Sequence, residues 1–310
     1  MTGTLFIGLG AGLTSSLLYG SVFTGSSLAI ILFYLAPLPL MLAGIGWGWR
    51  GAAVGAVAGA IADALLLNTD VGLFFTVTCA APAVWLSYLA MLSRPVDESV
   101  EWYPPGRLVA WTACFAFVLA AIAMLAIGPD VETYRANVKA AVEELMSTQS
   151  GDPDSLGDAE QMSDYLARLL LPATVSAWMI TMLANLWIAG RVLRTSSRLT
   201  RPWPDLHALE LPRPFIIAVG LCIALSMLPG SAGLIGTAAL SACIIAYMLV
   251  GLAILHMVTL NFAARRVLLT LVYFSLLAFI FAALIVAAIG IGEPYLRLRA
   301  RARSNQSGST

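Results

Sequence analysis

Asp63 is a carboxylate in an unfavourable place. It lies within an apolar, small-residue run, residues 51–68, and a charge at the centre of a membrane helix costs roughly 2.5–3.5 kcal/mol on insertion scales. Gly51, Gly55, Gly59 and Asp63 recur every four residues, so on a helix they share one face. Glycines so spaced let a neighbouring helix approach closely, and the acid stands at the far end of that seam. Asn68, Thr69 and Asp70 follow within two turns. Such a polar group at a membrane boundary suits a polar solute, a cation or a proton. The alternative is a carboxylate that reaches out to the membrane surface or is capped by a nearby hydroxyl.

Other candidates are weaker. Gly8, Gly10 and Gly12, with Ala11 and Ser15 four apart, do not make a dinucleotide-binding turn, since no strand precedes them. They make a small-residue face, either for packing within the molecule or for docking to another membrane subunit. His256 and Asn261 precede Arg265 and Arg266; with His207 the only other histidine, a local hydrogen bond is expected rather than a metal site. Arg265 and Arg266 either bind lipid headgroup phosphates or anchor a helix end. Cys79, Cys114, Cys222 and Cys243 lie far apart inside apolar windows and read as small buried hydrophobes. No zincin, nucleophile-elbow or P-loop motif is present, so no catalytic set, no metal and no cofactor is expected, and any active transport must draw on a partner or an ion gradient.

The elements that position these residues follow from composition. Of 310 residues, 60% are hydrophobic and 11% charged, against roughly 25% charged in a soluble domain; mean hydropathy is +0.88. Seventeen basic and seventeen acidic residues cancel, which excludes a nucleic-acid binder acting through bulk charge. The chain reads as an integral membrane protein, its principal partner the lipid bilayer. A spanning helix needs about 20 apolar residues. Charge-poor windows place segments at residues 5–18, 28–47 (kinked at Pro37 and Pro39), 51–68, 71–93, 108–129 and 169–190. Two more fit within 214–264 and one within 267–292. The fold class is therefore all-α, a polytopic bundle of eight or nine membrane segments. With no basic residue before Arg50, the first segment reads as a retained helix rather than a signal peptide.

Arginines at 50, 94, 107, 191, 194, 198, 201 and 213 mark one side as cytoplasmic, with the N-terminus on that side. Residues 130–164 carry nine acidic residues against Arg135 and Lys139 and suit the opposite side. Within them, Tyr134, Val138, Val142 and Leu145 form one stripe of a helix over 132–147. That helix either rests on the bilayer or bundle, or covers an outward-facing site. The stretch 214–228 is short for a full crossing, which leaves the side of the C-terminus open. In chain order this gives an N-terminal bundle (1–128), an acidic loop (129–164), a C-terminal bundle (165–293) and a basic, polar, disordered tail (294–310).

Several runs resemble the YybS-like family of bacterial membrane proteins (domain of unknown function 2232). They are Leu35-Ala-Pro-Leu-Pro-Leu40, Gly46-Trp-Gly-Trp-Arg50, Leu171-Pro172 with Asn185-Leu186, Arg201-Pro-Trp-Pro-Asp-Leu206 with Leu211-Pro212, and Gly251-Leu-Ala-Ile-Leu-His256. The ending from Gly290 to Arg299 is similar to the family's G-x-x-D-x-x-x-x-x-R, with Glu293 near the aspartate position. The resemblance implies a bacterial inner-membrane protein. The family is similar in outline to the substrate-binding components of energy-coupling-factor transporters, whose first helix docks to an energising module, and to the rod-shape protein MreD. Two functions follow as expectations: a small-solute binding or transport component without its own ATPase, or a scaffold for other membrane proteins. Neither is an enzyme.

Overall fold

A computed structural model describes residues 2–128, 130–150, 156–296 and 298–300. Among these, seven helices are long and apolar enough to cross a membrane: Thr2–Thr24, Ser27–Trp47, Trp49–Leu66, Thr69–Ala90, Pro105–Ile127, Tyr165–Thr195 and Ser231–Val258. The architecture is an all-α polytopic bundle. Packing divides the chain into two units, Met1–Phe115 with Met179–Asp205, and Ala116–Trp178 with Leu206–Thr310. The partition expected in chain order groups residues by covalent sequence, whereas these units group them by contact.

In the first unit α1 (Thr2–Gly20) leads through a short 3-10 turn to a broken pair, α2 (Ser27–Tyr34) and α3 (Pro37–Trp47). The break falls at the expected prolines, which lack the N–H that a continuous helix needs. Helix α4 (Trp49–Leu66) packs along α1. Then come α5 (Thr69–Phe75), a π-helical turn Thr76–Ala80 and α6 (Ala81–Ala90), which together form one membrane-length rod. A feature that composition did not signal follows: an antiparallel hairpin of β1 (Ser93–Val96) and β2 (Ser99–Trp102). Its turn places Asp97 at φ 52°, and Arg94 is ion-paired across the strands to Glu101 at 2.6 Å. Helix α7 (Pro105–Ile127) begins in this unit. The end of α9 (Leu156–Thr195), a 40-residue helix with Pro172 inside it, completes the unit.

The second unit is built on α11 (Ser231–Val258). Helix α10 (Phe215–Ser226) has 12 residues, about 18 Å at 1.5 Å per residue, and so falls short of a full crossing, as its sequence window suggested. Gly230 turns the chain at φ 78°. Helices α11 and α13 (Ile280–Leu296) touch backbone to backbone, because a Cβ on Gly251 or Gly290 would collide with the carbonyl of Val286 or Tyr247. The apolar segment expected over 267–292 is not one continuous helix. Phe279 adopts an extended conformation (φ −134°, ψ 119°) and separates α12 (Arg265–Ala278) from α13. Hydropathy counts apolar residues and carries no information on such a backbone excursion. Helix α12 buries none of its residues.

The acidic loop begins as a helix, α8 (Val131–Ser150). Tyr134, Val138 and Val142 are buried, as the stripe required; the side chain of Leu145 and the connection at 151–155 lie outside the described residues. Asp130 accepts from the Thr133 N–H at 2.8 Å and from its hydroxyl at 3.0 Å. These bonds hold its carboxyl below the ordinary carboxylate range. A depressed folded pKa stabilises above the unfolded value and is lost as pH falls through the folded one, so the start of α8 loosens in acid, below about pH 4. A lower protection factor for the Thr133 amide at low pH, after correction for the intrinsic exchange rate, and an Asp130→Asn variant in which that pH dependence is gone, are the expected results. Identical exchange in the two proteins at every pH would refute the cap. Of the expected tail, residues to 296 belong to α13 and Arg299 is buried, while 301–310 lie outside the described residues. Glu293 accepts the backbone N–H groups of Leu298 and Arg299, both at 3.1 Å. Arg299 donates to Glu210 at 3.0 Å and to the Leu209 carbonyl at 2.7 Å.

Candidate functional site

The glycine seam of α4 faces a second seam on α1. Thr4, Gly8, Gly12 and Ser16 also recur every four residues, and they run alongside Gly51, Gly55, Gly59 and Asp63 in the same direction. A Cβ on Gly8, Gly12 or Gly55 would fall on a carbonyl oxygen of the facing helix. One on Gly59 would stand 2.6 Å from the Gly12 carbonyl oxygen, and one on Gly51 2.8 Å from that of Thr4. On this face Gly8 and Gly12 pack within the molecule, whereas Gly10 is exposed with nothing within 4 Å of a Cβ placed on it. Gly8 and Gly12 are covered by α4, and the Ser15 hydroxyl is bonded to the Ala36 carbonyl.

The seam ends in a polar pair. Ser16 donates to Asp63 Oδ1 at 2.6 Å, and Asp63 is 2% exposed. Its other oxygen, Oδ2, is buried with no hydrogen-bond donor among the described residues. Buried oxygens of this kind are rare in folded proteins.

Two irregular backbone segments flank the pair. The first is the α2–α3 break. Leu38 N–H bonds to the Leu35 carbonyl at 3.0 Å, leaving the Tyr34 carbonyl without its usual helical donor, and Asn185 from α9 supplies one at 2.8 Å. Asn185 also donates to Thr181 O at 2.8 Å, and its own Oδ1 is buried with no donor. On the other side of the break Ser15 donates to the Ala36 carbonyl at 2.5 Å. Non-helical backbone at membrane depth persists only where protein groups satisfy it or where it lines a cavity. The second segment is the π-helical turn. Cys79 Sγ lies 3.8 Å from Ser15 Oγ, and Tyr19 Oη lies 3.1 Å from Thr78 Oγ1. Such π turns occur often at functional sites. Ser15, Ser16, Tyr19, Asp63, Thr78 and Cys79 thus lie together as a polar group where α1, α4 and the π-helical turn meet, with Asn185 at the proline break.

The structure does not gather the expected trio of Asp63, Asn68 and Asp70. Asn68 and Asp70 are exposed. The Asn68 side chain caps α5, accepting from Val71 N–H at 2.9 Å, and Asp70 occupies the first turn of that helix, where the helix dipole favours an acid. The partner of Asp63 comes instead from 47 positions earlier. Ser16 was within reach of sequence reasoning, since it continues the Gly8–Gly12 spacing. At α12, Arg265 is half-buried with its Nε lacking a partner, and Arg266 is exposed. His256 Nδ1 lies 2.9 Å from the Leu252 carbonyl and Nε2 lies 3.4 Å from the Tyr273 hydroxyl, a local arrangement. Among the described residues no three His, Cys, Asp or Glu side chains gather as a metal site.

The runs that carry the sequence resemblance prove to be structural contacts. Asn185 meets the proline break, Gly251 meets α13, and the Gly290–Arg299 ending folds back onto residues 209–210. No curated protein and no solved structure matches the chain. With seven membrane-length helices among the described residues and a family match that runs over residues 13–292, the chain belongs to the predicted membrane protein family DUF2232.

Proposed function

We propose that this membrane protein is a small-solute binding or transport component without its own ATPase, with Asp63 in the polar part of its site. The observation that carries the reading is Asp63 Oδ2, an acceptor buried in the bundle with no donor among the described residues. A carboxylate there is disfavoured unless something compensates it. Ser16 supplies one hydrogen bond, and a cation or an amine-bearing solute supplies the rest. The broken helix and the π-helical turn beside it support the same reading, because discontinuous helices are where membrane transporters place their substrates. The scaffold reading needs free contact surfaces, and the glycine seams it would have used are filled from within the molecule.

The test is ligand-dependent stabilisation of the purified protein in detergent, with sodium ion, potassium ion, ethanolamine and choline as probes. At least one should raise the unfolding temperature of the wild type by about 3 °C or more at saturation. Asp63→Asn, which keeps shape and removes charge, should insert normally and lose that response, as should Ser16→Ala in part. If none of the probes stabilises the wild type, or if Asp63→Asn responds as the wild type does, this assignment of the site fails.

A further inference from the structure

Two sets of arginines stand apart in this protein. Arg201 and Arg299 are buried, and their guanidinium groups are bonded to carbonyl or carboxylate oxygens. Arg50, Arg191, Arg194 and Arg198 are exposed, and among the described residues their guanidinium groups have neither an ion pair nor a hydrogen bond. They lie over tryptophan rings instead. Arg198 is 4.8 Å from the Trp47 ring centre, Arg194 5.3 Å from Trp203, Arg191 5.4 Å from Trp203 and 5.6 Å from Trp187, and Arg50 5.7 Å from Trp49.

A ring beneath a guanidinium attracts its charge but accepts no conventional hydrogen bond from its N–H donors. Those donors match the oxygens of a phosphate, which Arg binds in a bidentate manner. Arg191 and Arg194 crowd one ring, Trp203, which holds two like charges close together. All four belong to one end of the first unit, where α3 ends, α4 begins and α9 ends. We propose that this end binds the phosphate of an anionic phospholipid.

Two observations favour a lipid over free phosphate. Tryptophan concentrates at the membrane–water interface, and four rings here carry the arginines. At the same end a half-open, largely apolar groove of about 300 Å³, lined by Ile45, Trp49, Tyr88, Met91, Leu92 and Ser93 among others, offers room for the apolar part of a lipid, which a free anion does not need. The proposal is independent of the Asp63 site, and its variants leave that site untouched.

The experiment measures the unfolding temperature of the full chain in a neutral detergent with added dioleoylphosphatidylglycerol, dioleoylphosphatidylcholine or inorganic phosphate. The anionic lipid should raise it by about 5 °C or more, and the zwitterionic lipid and free phosphate by about 1 °C or less. The combined variant R191Q, R194Q and R198Q should lose at least half of the anionic-lipid shift. Should that protein fail to fold, Arg194→Gln alone, exposed and making no bond, should lose a clear part of it. An undiminished shift in Arg194→Gln and in any folded combined variant overturns the proposal, as does an equal shift from phosphatidylcholine. An equal shift from inorganic phosphate overturns the lipid as its source.

Discussion

Replacing Gly12 by alanine lowers the unfolding temperature of the detergent-purified protein sharply, and replacing Gly10 by alanine does not. The two glycines lie two residues apart on one helix, and intrinsic helix propensity favours alanine over glycine by up to about 1 kcal/mol at either position. They differ in what a methyl group meets. At Gly10 nothing lies within 4 Å, whereas at Gly12 the Gly55 carbonyl already occupies the space. The obstacle is backbone, which has no rotamer to give, so α1 and α4 must separate along the whole seam. Overpacking of this kind costs about 3 kcal/mol, on the order of 5–10 °C for a chain of this size. Gly55→Ala repeats the effect from the other side, against the Gly8 carbonyl. Equal unfolding temperatures for the Gly10 and Gly12 variants would show that the two helices do not touch there.

The seam also shows how far the sequence could be read. Residues four apart must share a helical face, so Gly51, Gly55, Gly59 and Asp63 were visible as a contact surface. Periodicity does not say which face meets which, and that choice is made by the packing of α1 against α4. For the same reason the partner of Asp63 was sought among its neighbours in sequence. Asn68 and Asp70 are near in number but lie past a turn, where capping and the helix dipole employ them. The proline break was legible because a missing N–H is a property of the residue itself. The break at Phe279 was not, since phenylalanine has no such signature and the apolar window runs through it unchanged. The hairpin at residues 93–102 was hidden for a related reason: two four-residue strands are too short for alternation to stand out.

The second large effect is expected at Arg201, a residue that charge counting placed with the other loop arginines. Its Nη1 donates to the Ala90 carbonyl at 2.7 Å and its Nη2 to the Tyr103 carbonyl at 2.9 Å. Ala90 is the last residue of α6, so its carbonyl is one of the four that a helix cannot satisfy internally, at the end where the helix dipole favours a cation. Arg201 therefore caps α6 from 111 positions away and fastens it to the chain leaving the hairpin, with the Trp102 ring 5.9 Å from the guanidinium carbon. Burial pulls the guanidinium below its ordinary pKa, but an arginine stays charged at neutral pH regardless. Hydrogen bonds from a charged donor contribute about 1.5–3 kcal/mol each, so losing both in Arg201→Leu should cost on the order of 3 kcal/mol. Arg201→Lys should recover less than half, since a single ammonium does not span two carbonyls as a planar fork does. Arg198→Leu, a few residues away and exposed, removes the same charge without a hydrogen bond and should shift unfolding little. If Arg198→Leu and Arg201→Leu destabilise alike, the effect belongs to charge at this end of the molecule, and the cap has no special part in holding α6.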